Sequence, residues 1–218
     1  RYLDGLRAPK LMVPGNHDIP HGLRVWERLR TPWNDWRREV SHELEPTVSL
    51  ADAEIVGLNS VRPGGWYLDW SRGQLSARQL GRLRSHLEAV PDHRLRVLAI
   101  HHPPAAPPQG TVRHLIDNRA PLITALNAAR VDLILSGHFH LSYARPVPLP
   151  GPVPRSCVLS VASTATSHRL QGEPNGFHEI TWDGTRLLVT AHTWQEETYE
   201  PSRRWAFERD QERQWREV

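Results

Sequence analysis

The stretch VPGNHDIP, residues 13–20, sets Asn16, His17 and Asp18 side by side directly after the apolar run Leu11–Val13. Two later runs finish the same way: VLAIHHPP delivers His101 and His102, and LILSGHFH delivers His138 and His140. A neutral amide oxygen and several imidazole nitrogens, with no thiolate among them, form a donor set that suits Mn, Fe or Zn without choosing between them. A structural zinc site would instead favour cysteine at close spacing. In NHD the side chain of His17 points away from that of Asn16 and stays free for proton chemistry. Asp18 suits support of its own loop better than metal ligation. In GHFH, Gly137 lets the backbone turn, and an extended segment there would project His138 and His140 to one side. One histidine at a strand end is ordinarily a surface or packed residue. Three clusters of the same kind carry the argument.

Such clusters meet only if strands hold them at a common edge. KLMV, AEIVGLN, LRVLAI, VDLILSG, SCVLSVAS and RLLVTAH have the length and β-branched content of buried strands. SARQLGRLRSHLEAV and APLITALNAAR have helical spacing, with Leu80, Leu83, Leu87 and Val90 three or four residues apart. Alternation of the two patterns up to Ser136 predicts crossover units and a parallel portion of sheet, whose C-terminal strand ends are where ligands bind. Beyond Gly137 strands follow one another without helices, and TWDGTR supplies an Asp-Gly turn, so the second half is expected to be antiparallel. HHPPAAPP and RPVPLPGPVPR are expected as stiff surface loops. One domain over residues 1–218 is expected, with 202–218 a charged surface tail whose Trp and Phe dock.

Composition narrows the function. A formal net charge of +3 with arginines dispersed among acids gives no strong nucleic-acid signal. The one cysteine, Cys157, lies in an apolar run and is expected as a core residue. No Gly-x-Ser-x-Gly elbow occurs, which disfavours serine hydrolase chemistry. No apolar stretch reaches the ~20 residues of a membrane span, so a soluble protein is expected, with a cytoplasmic location. From Ile19 to Gly73, Trp26, Trp33, Trp36, Trp66 and Trp70 alternate with arginines, either to stack on a nucleobase or to pack over the sheet. Arg169 in TATSHR suits either a phosphate or a surface ion pair.

With GNHD at residues 15–18, HHPP at 101–104 and GHFH at 137–140, in that order, the sequence resembles the calcineurin-like metallophosphoesterase superfamily. NSVRPGGW, TATSHR and PNGFHEI are similar to its bacterial class III cyclic-nucleotide phosphodiesterase branch. The resemblance implies an α/β fold, a β-sandwich flanked by helices in α-β-β-α layers. It also implies two divalent metal ions, with Asn16, His101, His138 and His140 as ligands and His17 near the leaving group. His102 would lie beside the site or behind it. The implied activity is metal-dependent hydrolysis of a small phosphodiester such as a cyclic nucleotide, by in-line attack without a phosphoenzyme. The superfamily's opening Asp-x-His and Gly-Asp motifs occur nowhere in the sequence. With Arg1 as first residue, this leads to the expectation of an N-terminally incomplete piece of a longer gene, poorly active alone. The alternative is a non-catalytic module that keeps the scaffold and binds a partner through its Trp-rich face.

Overall fold

The computed structural model describes residues 5–64, 71–108 and 115–218. Trp66 and Trp70 lie outside the described residues. Two short helices, α1 (Val25–Arg30) and α2 (Asn34–Glu39), precede strands β1 (Thr47–Ser49) and β2 (Ala53–Gly57). Helix α3 (Ala77–Glu88), strand β3 (Leu95–Ala99), helix α4 (Arg119–Ala128) and strand β4 (Leu133–Ser136) then alternate. Six strands complete the described chain: β5 (Tyr143–Leu149), β6 (Arg155–Val161), β7 (Gly176–Trp182), β8 (Arg186–Gln195), β9 (Thr198–Arg209) and β10 (Trp215–Glu217).

Helix α3 starts where Ser76 and Gln79 form a reciprocal capping box, and it buries Leu80, Leu83 and Leu87 as one stripe. That stripe and Leu122 and Leu126 of α4 pack on one face of a six-stranded sheet of order β1-β2-β3-β4-β6-β5. On the other face Val97, Leu133 and Val158 meet Leu187, Val189 and Phe207 of a four-stranded antiparallel sheet, β10-β9-β8-β7. The expected mixed α/β sandwich is therefore present. Among the described residues no helix covers the outer face of the second sheet.

Three local expectations need correction. The run Leu11–Val13 is no strand: an apolar pattern specifies burial and not a ladder partner, and here Leu11 and Val13 pack by side chain against the backbone at Gly57. In RPVPLPGPVPR, Pro146 and Pro148 belong to β5 and not to a loop. That strand is the edge of its sheet, where a missing N–H breaks no ladder, and Val147 and Leu149 between the prolines are buried. The second half is antiparallel except at one place, since β6 runs parallel beside β4. Residues 202–218 supply the end of β9 and all of β10, with Phe207 and Trp215 buried between the sheets.

Candidate metal centre

Parallel pairing of β2 with β3, β3 with β4 and β4 with β6 brings four strand ends to one edge. The edge is drawn together by Ser136 Oγ, which donates to the carbonyl of His101 across 2.9 Å, joining the end of β4 to the turn after β3. Loop 15–18 closes on itself, with Asp18 N donating to Gly15 O at 3.0 Å and Gly15 N donating to Asp18 Oδ2 at 2.7 Å. Asp18 is thus a loop support, as its sequence setting suggests. Position 15 requires glycine because a Cβ would meet His101 Cε1 at 2.9 Å. The NHD loop can then lie against the His101 ring.

Three of the four expected ligands converge. His101 Nε2 is 2.9 Å from Asn16 Oδ1 and 3.1 Å from His138 Nδ1. His102, expected beside the site or behind it, lies beside it: one ring nitrogen each from His101, His102 and His138 lie within 4.8 Å of one another. His102 is fully buried, and its Nδ1 is 2.8 Å from Ser60 Oγ. His140 stands near enough to influence His101 and His17 electrostatically, while its Nδ1 faces the carbonyl oxygen of Arg169.

The GHFH segment is bent and not extended. Phe139 N donates to Gly137 O at 2.9 Å, closing a three-residue turn about His138, and His138 and His140 both adopt left-handed backbone, φ 74° and 54°. Gly137 needs no such freedom. The strain therefore sits on the two histidines expected to bind, and non-glycine residues hold such angles mainly where the surroundings impose them.

Burial, reinforced by the neighbouring imidazoles, holds His101 neutral with a pKa of about 3 and His102 with one of about 2. His17 at the rim is lowered as well, by partial burial first and then by the Arg169 guanidinium, with Asp18 opposing. Arg169 Nη1 is 3.2 Å from each ring nitrogen of His17. The sequence offered no sign of this contact, because residue 169 follows β6 and only the parallel return of that strand carries its loop to the site edge. Beside His17, a groove of about 230 Å³ runs past Ile19, His21, Arg24 and Trp36. Trp36 is buried and donates to Glu43 O, whereas Trp26 is 72% exposed with Arg30 over its ring. Cys157 is wholly buried, and burial pushes its thiol pKa up, out of reach of nucleophilic chemistry.

A parallel α/β edge carrying convergent imidazole and amide donors, with a further histidine at its rim, is a scaffold able to hold a divalent cation. The family described as calcineurin-like phosphoesterase matches residues 1–142, and the chain belongs to that family of metal-dependent phosphoester hydrolases. No curated protein matches the chain. The donors suit a divalent cation on their chemistry. Asn16 Oδ1, His101 Nε2 and His138 Nδ1 crowd together, at most one proton can be shared among them, and a cation would satisfy all three lone pairs. No helix among the described residues is long and apolar enough to cross a membrane.

Proposed function

We propose that the protein is a phosphodiesterase acting on small phosphodiesters, cyclic nucleotides among them, with Asn16, His101, His138 and His140 holding metal and His17 serving the leaving group. The observation that supports this most directly is the 2.9 and 3.1 Å approach of Asn16 and His138 to one nitrogen of His101. When bound, divalent cations supply charge neutralisation at phosphate oxygens and activation of water. His17, kept neutral, presents an N–H to the departing oxygen, and the groove beside it accommodates the departing group. Of the described tryptophans between Ile19 and Gly73, Trp26 is the most exposed, and its face away from Arg30 could stack on a base. Because the chain holds neither Asp-x-His nor Gly-Asp, it lacks a carboxylate to bridge two cations. One tightly held ion per chain and slow turnover are expected.

Manganese binding followed by EPR, together with release of p-nitrophenol from bis(p-nitrophenyl) phosphate, tests this. EDTA should abolish turnover. Replacing His17 with alanine should lower turnover about 10²-fold, the lower end for a lost proton donor, with manganese content unchanged. Absence of manganese uptake, or hydrolysis indifferent to EDTA, would overturn the reading. A non-catalytic binding role draws on a different observation, the exposure of Leu23, Trp26 and Leu29 in and beside α1. It predicts no EDTA-sensitive hydrolysis with any metal.

A further inference from the structure

Residues 162–175, between β6 and β7, open on the same edge as the histidines because β6 is parallel to β4. The loop is held by its own polar contacts: Ser167 N donates to Thr164 Oγ1 at 3.1 Å, Arg169 N to Ser167 Oγ at 3.1 Å and Gly176 N to Thr164 O at 3.0 Å. Tyr199 Oη of β9 donates to Ala165 O, fastening the loop to the second sheet. The Arg169 carbonyl faces His140 Nδ1, which as a donor would leave Nε2 of that ring bare. The Arg169 guanidinium, meanwhile, stands over His17.

This arrangement wants an anion. Among the described residues Arg169 has no carboxylate within ion-pair distance, whereas Arg203, Arg209 and Arg213 each have one. Its nearest polar side chain is an imidazole, which can accept from one N–H and leaves the other guanidinium donors to be satisfied elsewhere. Asp18, the nearest acid to His17, is already used by Gly15 N. A guanidinium presents a planar fork that matches two oxygens of one phosphoryl group.

We infer that Arg169 is a phosphoryl-binding residue of this site, its guanidinium taking the non-bridging oxygens of the substrate while His140 fixes the backbone that carries it. The occupant rests on the phosphoesterase reading, whereas the anion site itself rests on the geometry of Arg169 and His17. Loss of Arg169 should act mainly on binding, since the guanidinium meets ground state and transition state alike.

Inorganic phosphate is the probe. Its affinity for the wild-type chain and for Arg169→Gln and Arg169→Lys is measured by calorimetry, once with manganese and once with EDTA, and manganese content is read separately by EPR. Arg169→Gln should weaken phosphate about tenfold or more under both conditions with manganese content unchanged, and Arg169→Lys should recover part of the loss. In turnover, KM should rise more than kcat falls. Equal phosphate affinity in wild type and Arg169→Gln, or no phosphate binding by the wild type, would overturn the inference. Failure of manganese uptake alone would count against the metal reading, because the EDTA series measures Arg169 without it.

Discussion

The two ends of β3 and β4 are built on opposite principles. At their N-terminal ends, charge is buried and matched. Asp132, 1% exposed, accepts from Arg96 N at 3.0 Å, Arg209 Nη1 at 3.0 Å and Arg213 Nη2 at 2.7 Å. Asp92 beside it takes Arg96, Arg130 and Arg213. At the C-terminal ends of the same strands, imidazoles crowd together without acids, and Arg169 has no carboxylate partner among the described residues. One end sets buried carboxylate against guanidinium, even though Arg96 Nε and Nη1 and Arg213 Nε find no hydrogen-bond partner there among the described residues, and the other sets imidazoles and a guanidinium against one another. A fold gains nothing from the second arrangement by itself, so the contrast marks which end is for holding the chain together and which is for binding something else.

The sharpest way to break this comparison is at Asp132. Arg209 and Arg213 come from β9 and the turn before β10, so this carboxylate joins the second sheet to the first. Asp132→Ala leaves the sheltered guanidinium of Arg209 without its carboxylate and that of Arg213 with Asp92 alone. Breaking one partner of a buried pair costs ~3–5 kcal/mol. Urea unfolding should show a loss of that size, while manganese uptake by the folded chain stays as in wild type. A loss below 1 kcal/mol, or a loss of manganese at unchanged stability, would erase the distinction between the two ends.

A smaller effect is expected at Gly73, where a Cβ would come within 2.3 Å of His102 Nδ1. His102 is fully buried and held by Ser60, so it cannot swing aside without moving the turn after β3. Overpacking of this kind costs ~1–3 kcal/mol. Gly73→Ala should lower stability by that amount and also weaken manganese, because His101 is the next residue along the same turn. Destabilisation with unaltered manganese affinity would show that His102 only packs, and would draw the boundary of the site at His101.

These contrasts explain what was legible in the letters. His101 and His138 follow apolar runs that are parallel strands ending at one edge, and Asn16 follows an apolar run that packs beside that edge without being a strand, so type and position together sufficed to bring them near one another. The stripe of Leu80, Leu83 and Leu87 was legible for the same local reason. Pro146 and Pro148 misled, because a proline says only that an N–H is missing, and an edge strand has no need of it on its outer side. Leu11–Val13 misled in the opposite sense, being apolar enough for a strand but without a ladder partner among the described residues. Arg169 could not be placed, since its approach to His17 depends on β6 crossing to β4, and nothing local to TATSHR records that. The left-handed angles of His138 and His140 were equally hidden, as the adjacent glycine seemed the natural place for them.

Acid separates the two ends by their titration range. The paired carboxylates Asp92 and Glu54 have pKa values lowered from 3.8 and 4.5, so their contribution is lost only as pH falls below those values. The buried neutral histidines behave otherwise. His178 in β7 lies between Ser142 and Ser160, with Nε2 2.8 Å from one hydroxyl and Nδ1 2.7 Å from the other, and burial brings its pKa down to about 4. Unfolded, it would titrate near 6.5, so between about pH 6.5 and 4 the unfolded chain binds a proton that the folded chain refuses. Stability must therefore fall as pH is lowered through that window, by about 1.4 kcal/mol per pH unit for each such histidine. His178→Gln keeps a polar group between the two serines and removes the titration, so the slope of stability against pH, measured by urea unfolding of the metal-free chain between pH 6 and 4.5, should drop by about one proton. The residual slope includes His101, His102 and His17 at the site end, all lowered by burial. An unchanged slope would mean that His178 is already protonated in the fold, and that the acid-sensitive groups lie elsewhere than on the binding side of the sheet.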